Sequence, residues 1–183
     1  MEKGMILVLN GVSSSGKSTL AKEITKLLPD FFAFSIDDYD LVIEKMEDRV
    51  NQRLISVETE YFYYKNVAMF SDQGVNLILD QILHDPSTLQ NFYETLNSYP
   101  ILLVGVHCPV EELKHREKSR GNRQIGQALS QLSLVHKKVI YDVEVNTYTH
   151  SMEECANEIV NRLESNTPLL GLKKSLKEFE FSR

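Results

Sequence analysis

Short apolar runs without helical period recur at residues 5–9, 32–36, 75–79, 101–106 and 141–145, each of strand length and most rich in Ile, Val, Leu or Phe. The first four are apolar at nearly every position, as in parallel strands covered on both faces. The last alternates Tyr141, Val143 and Val145 with Asp142, Glu144 and Asn146, and suits an edge. Between them, segments of helical period fall at 18–28, 41–50, 57–71, 87–96, 109–119, 125–139 and 152–163. Strands alternating with helices predict an α/β fold built on a parallel sheet with right-handed crossovers. Punctuation supports several boundaries: Pro29-Asp30 closes the first helix, Asp85-Pro86-Ser87 opens another, and Pro109 precedes acids suited to a first helical turn.

A chain of 183 residues with 42% hydrophobic content can bury roughly 70% of its unfolded surface as a single domain, without disulfide or metal staples. Cys108 and Cys155 are isolated in sequence and read as buried, reduced thiols. No stretch approaches the ~20 apolar residues of a membrane span and no signal-peptide layout opens the chain, so a soluble, cytoplasmic protein is expected. The net charge of -6 argues against a nucleic-acid or anionic-membrane binder, since phosphate-backbone affinity rests on clustered Lys and Arg. One region runs against that average. Between Lys114 and Arg123, five of ten residues are Lys or Arg.

Gly11-Val12-Ser13-Ser14-Ser15-Gly16-Lys17-Ser18 matches GxxxxGK[ST] and sits between the first strand and the first helix, where a phosphate-binding loop belongs. Gly11 and Gly16 let the backbone curl so that successive N–H groups face inward, and the helix N-terminus adds partial positive charge. The expected nucleotide contacts are Gly11, Ser13, Ser14, Ser15, Gly16, Lys17, Ser18 and Thr19, with Lys17 on the β- and γ-phosphates and the Ser18 hydroxyl on Mg²⁺. Asp80 ends a buried strand and is a second candidate for Mg²⁺; the alternative is a cap for the following helix.

Asp37-Asp38-Tyr39-Asp40 follows the second strand, and ligands of open parallel sheets bind beyond the carboxyl ends of the strands. Phosphoryl transfer to a hydroxyl needs a carboxylate that orients it and takes its proton. Asp37, beside the strand end, is the first candidate, and Asp38 the second. Arg116, Arg120 and Arg123 share one face if their helix continues through Gly121, and planar guanidinium groups suit the charge of a transferring phosphoryl group. Gly121 would serve as the hinge of a closing lid. The competing reading is a solvated helix face on which Glu112 and Glu117 pair with neighbouring bases.

These stretches, with Val104-Gly105-Val106-His107-Cys108, Val135-His136 and Tyr141-Asp142-Val143-Glu144-Val145-Asn146-Thr147, resemble the chloramphenicol phosphotransferase-like family of small P-loop kinases, itself similar to adenylate and shikimate kinases. The resemblance spans about residues 5 to 160. It implies a P-loop kinase fold with a five-stranded parallel sheet of order 2-3-1-4-5 and a small helical lid at about 114–127. It also implies ATP as donor, Asp37 as base, and Arg120 and Arg123 as lid arginines; Arg116, in the same basic patch, is a further candidate for a nucleotide contact. The family often has a second acid after the third strand, where this chain has Gln81. The aromatic segment Tyr61-Phe62-Tyr63-Tyr64 should line the acceptor site. The expected organisation is a kinase domain over residues 1–165, then a tail or short helix over 166–183. The expected activity is transfer of the γ-phosphate of ATP to a hydroxyl of a small molecule; the alternative is an ATP-binding regulatory module without kinase activity.

Overall fold

The structure, a computed structural model, describes residues 2–120 and 126–180. The elements in chain order are β1 (Ile6–Asn10), α1 (Lys17–Leu27), β2 (Phe31–Ser35), α2 (Ile36–Met46), α3 (Thr59–Asp72), β3 (Asn76–Gln81), α4 (Pro86–Leu96), β4 (Ile101–His107), α5 (Val110–Arg120), α6 (Gln127–Val135), β5 (Val143–Asn146), α7 (Met152–Glu164) and α8 (Gly171–Glu180). The five strands form one sheet in the order β2-β3-β1-β4-β5, all parallel. Order and sense agree with expectation.

Alternation along the central strands divides the core into two layers. Ile6 and Val8 of β1 face Tyr63, Tyr64 and Val67 of α3, Leu89, Phe92 and Tyr93 of α4, and Leu172 and Phe179 of α8. Leu7 and Leu9 face Leu20 and Ile24 of α1 and Cys155, Ala156 and Ile159 of α7. Each fully buried Leu, Ile or Phe contributes about 1.5–3 kcal/mol, so only a strand apolar on both faces exploits both layers. β2 departs from that expectation. It lies at the sheet edge, and Phe32 is 60% exposed.

Two helices differ from their sequence patterns. α2 begins at Ile36 rather than near residue 41, because Ser35 caps it by accepting the Asp37 N–H at 3.2 Å, and Asp37 and Asp38 sit favourably in a first turn. It stops at Met46, where backbone bonds of 3.0 Å in both directions between Asp48 and Arg53 close a turn. α6 ends at Val135, and Lys138 with φ 62 reverses the chain before β5.

The described part of the C-terminal segment is anchored to the sheet. The Asp142 carboxylate, 2% exposed, accepts the N–H groups of Leu103, Leu170 and Gly171 at 3.0, 2.7 and 2.8 Å, and Arg162 stands 3.7 Å away. One side chain thus joins β4, α7 and the start of α8.

Candidate active site

The sheet register brings the carboxyl ends of three strands to one level: Asn10 is opposite Gln81 on one side and Gly105 on the other, and Ser35 is opposite Asp80. Beyond that edge β1 runs into the phosphate loop. A Cβ at Gly11 would lie 2.5 Å from the Val106 carbonyl oxygen, so the loop passes β4 only because position 11 is glycine. Ser14 with φ 62 and Gly16 with φ 99 then curl the backbone into the start of α1. That helix start has no side-chain cap among the described residues. The hydroxyls of Ser13, Ser14 and Ser15 are buried there without a hydrogen-bond partner among the described residues. Buried hydroxyls are costly to leave unpaired, and these three, with an uncapped helix N-terminus, fit a polyanion rich in acceptor oxygens.

Lys17 is buried, and its Nζ donates to the carbonyls of Gly11 and Val12 at 2.9 and 3.0 Å while standing 3.8 Å from Asp80. The Ser18 hydroxyl donates to the other Asp80 oxygen at 2.5 Å. Asp80 is therefore joined to the loop; the following helix is capped by Asp85, whose carboxylate accepts the Thr88 N–H at 2.9 Å. Burial works against ionising Asp85, but its bonds from Ser87 and Thr88 outweigh it and bring its pKa to about 2. Thr19 sits exposed beside Ser18. Among the described residues no cluster of three or more His, Cys, Asp or Glu could hold a metal. A hydroxyl and one carboxylate suit Mg²⁺, which keeps waters and takes its other ligands from phosphates.

Lys17, Ser18, Asp37, Asp80 and Gln81 line one crevice of about 90 Å³, together with Ile82 and Gln127. Asp38 does not line it. The loop after β3 borders a second, larger cleft of about 630 Å³ through His84 and Asp85, and Tyr61 lines that cleft. The rest of the aromatic segment behaves otherwise: Tyr63 and Tyr64 pack in the core, with the Tyr63 hydroxyl on the Phe34 carbonyl at 2.5 Å.

Arg116 points at the loop from α5. Its guanidinium donates to Thr147 Oγ1 and O at 3.1 Å and approaches the Ser14 and Ser15 carbonyls at 3.5 Å, while Glu112 holds its Nε at 2.7 Å. Arg116 thus braces the outside of the loop. Buried, Glu117 accepts the N–H groups of Gly126 and Ala128 at 2.9 and 2.7 Å and caps α6. Arg123 and the side chain of Arg120 lie outside the described residues, so the sharing of one face by the three arginines lies outside them too.

Two positioning groups escaped the sequence reading. Gln131 of α6 accepts the Ser13 N–H at 2.8 Å. Asn10, fully buried at the end of β1, accepts the Leu83 N–H at 2.8 Å and donates to the Val135 carbonyl at 3.0 Å and the Tyr141 hydroxyl at 2.8 Å. A polar residue closing an apolar strand just before the phosphate loop was the available signal for Asn10; Gln131 offered none. Tyr141 also meets His136 Nδ1 at 2.7 Å, and the His136 ring stacks on His107 at 4.3 Å between centroids. Burial, aided by His107 and Lys17, brings the His136 pKa down to about 4, so the ring is neutral at physiological pH.

A parallel sheet of this order, a glycine-bounded loop with a buried lysine, and a strand-end carboxylate on the loop serine define a P-loop protein of the kinase class. The chain belongs to the chloramphenicol phosphotransferase-like protein family, whose model matches residues 4–164. It is 26% identical over 184 residues to a Mycobacterium tuberculosis protein provisionally named an O-phosphotransferase, covering 87% of this chain and 82% of that one. Among solved structures, it is similar to the Mycobacterium tuberculosis APS kinase CysC in complex with AMPPNP and APS, with a TM-score of 0.68, 16% identity, and coverage of 90% of this chain and 100% of that one. A gluconokinase from Sinorhizobium meliloti 1021 aligns with a TM-score of 0.60, 17% identity, and coverage of 99% and 98%. Family and fold together support a small-molecule phosphotransferase. No helix among the described residues is long and apolar enough to cross a membrane.

Proposed function

We propose that the protein is a cytoplasmic kinase that transfers the γ-phosphate of ATP to a hydroxyl of a small molecule. The observation that carries this reading is the shared crevice, which Lys17, Ser18, Asp80 and Asp37 line together. The backbone N–H groups and hydroxyls of residues 13–16 bind the polyphosphate, and Lys17 neutralises its charge. Ser18 and Asp80, already joined by a hydrogen bond, would hold Mg²⁺, which would supply charge stabilisation on the phosphates. Asp37 orients the acceptor hydroxyl and takes its proton as the acceptor oxygen bonds to the γ-phosphorus, the bond to the bridging oxygen breaks, and ADP leaves. Arg120 and Arg123 carry the role of lid arginines, and closure over the crevice excludes water as a competing acceptor.

The test is ADP release from MgATP against a panel of small alcohols, antibiotics, nucleosides and sugars. Release with one acceptor class establishes reaction and substrate together. Tight MgATP binding with no acceptor phosphorylated would instead establish a nucleotide-controlled regulatory module.

A further inference from the structure

Gln81 ends β3 one residue beyond Asp80, so strand alternation turns the two side chains to opposite faces. Asp80 joins the phosphate loop, while Gln81 shares the face of Leu77 and Leu79, on which α3 and α4 pack. Its side chain lines the crevice with Asp37, Asp80 and Lys17 and is 2% exposed. Neither its Nε2 nor its Oε1 has a hydrogen-bond partner among the described residues. The Tyr64 hydroxyl lies beside the amide, and the two do not close a hydrogen bond of good geometry. Buried side-chain amides are almost always paired, and one with both halves unpaired is costly to keep. The cost is recovered if a ligand completes the pairing.

Resting on the phosphotransferase reading, we infer that Gln81 binds the acceptor: its Oε1 takes a hydrogen bond from one polar group of the acceptor and its Nε2 gives one to the next. A carboxamide offers acceptor and donor side by side, and two vicinal hydroxyls present the matching pair. Gln81 therefore selects polyols over alcohols that lack the adjacent hydroxyl, and acts as a specificity residue beside the base Asp37. A site built to pair with a hydroxyl discriminates strongly, because the analogue lacking it leaves the buried amide unpaired again.

The test uses Gln81→Met, which keeps length and removes both polar atoms. Without ligand, the variant melts about 2–8 °C higher than wild type, since an unpaired buried amide is replaced by an apolar group. In MgATP-dependent ADP release, the probes are glycerol, D-ribose and D-glucose, each beside the counterpart lacking one of two adjacent hydroxyls. Wild type favours the polyol at least ~10-fold in kcat/KM, and Gln81→Met erases that preference while the KM for ATP stays within about 2-fold. A variant that melts lower than wild type, or keeps the preference, overturns the assignment. So does a wild type that phosphorylates other acceptors but no polyol, although the phosphotransferase reading then stands. That reading fails on a separate result: no ADP release with acceptors of any class.

Discussion

Gln131 reaches from α6 to the phosphate loop, where its Oε1 accepts the Ser13 backbone N–H at 2.8 Å. α6 thus occupies a donor that the loop could otherwise turn toward phosphate. Gln131→Leu leaves that N–H without its protein partner and makes phosphate the better replacement. One neutral hydrogen bond is worth about 1 kcal/mol, so MgADP should bind roughly 5-fold tighter by calorimetric titration. An unchanged or weaker affinity would show that the Ser13 N–H stays with Gln131 when nucleotide is bound.

Lys17→Met removes the ammonium that bridges the Gly11 and Val12 carbonyls and stands beside Asp80. MgATP affinity should fall at least ~10-fold, with the far-UV spectrum retained, because charge-assisted bonds to phosphate are worth about 1.5–3 kcal/mol. Wild-type affinity in a folded variant would remove Lys17 from the nucleotide site.

Asp37 lines the crevice from the first turn of α2. General-base catalysis contributes about 10²- to 10⁴-fold, so Asp37→Asn should lower kcat at least ~10²-fold with the KM for ATP nearly unchanged. Single-turnover kinetics on the acceptor found in the ADP-release panel separate this loss from slow product release. Full turnover in the variant would pass the role to another group.

His136 gives stability a pH signature. Its folded pKa of about 4, set first by burial and then by His107 and Lys17, lies below the unfolded value of about 6.5. Between those values the unfolded chain binds the extra proton. The contribution is therefore complete above about pH 6.5, declines by up to about 1.4 kcal/mol per pH unit as pH falls, and is gone near pH 4. Around the stacked ring pair, the Tyr141 hydroxyl meets His136 and the Glu144 carboxylate meets His107. Unfolding free energies from urea titrations at about pH 7 and pH 5 should differ more for wild type than for His136→Phe by about 1–2 kcal/mol. Equal differences would assign the acid sensitivity to other groups.

Asp142 is the buried junction of β4, α7 and α8. Asp142→Ala leaves the N–H groups of Leu103, Leu170 and Gly171 unpaired and Arg162 without its carboxylate, so unfolding free energy should drop by about 3–5 kcal/mol in urea titrations. A drop below ~1 kcal/mol would mean that water replaces the carboxylate.

Much of this architecture was legible because two periodicities carried it. β1, β3 and β4 are apolar on both faces and lie inside the sheet, and the GxxxxGK[ST] spacing alone located the loop. The outward face of β2 was hidden in the pattern, since Phe31 to Phe34 read as apolar as an interior strand while Phe32 faces outward; only the sheet order implied by the family resemblance put β2 at an edge. The early start of α2 was hidden as well: a serine cap with acids behind it mimics a loop, and the apolar period becomes visible only from Leu41. In the site, Lys17 and Ser18 from the loop motif and Asp37 and Asp80 from beyond the strand ends line one crevice. Gln131 and Asn10 act across long sequence separations, and Glu117 across about ten residues, through polar bonds that leave no periodic trace.

Asn10 links the loop before α4, the end of α6 and Tyr141 through one carboxamide. A bond network rooted at the last residue of the central strand is completed when the sheet assembles, and it holds the Leu83 N–H in the interior. That amide proton should then be among the slowly exchanging ones. An arriving acceptor would meet walls already set by folding, and its binding entropy would reflect its own immobilisation more than any ordering of the protein.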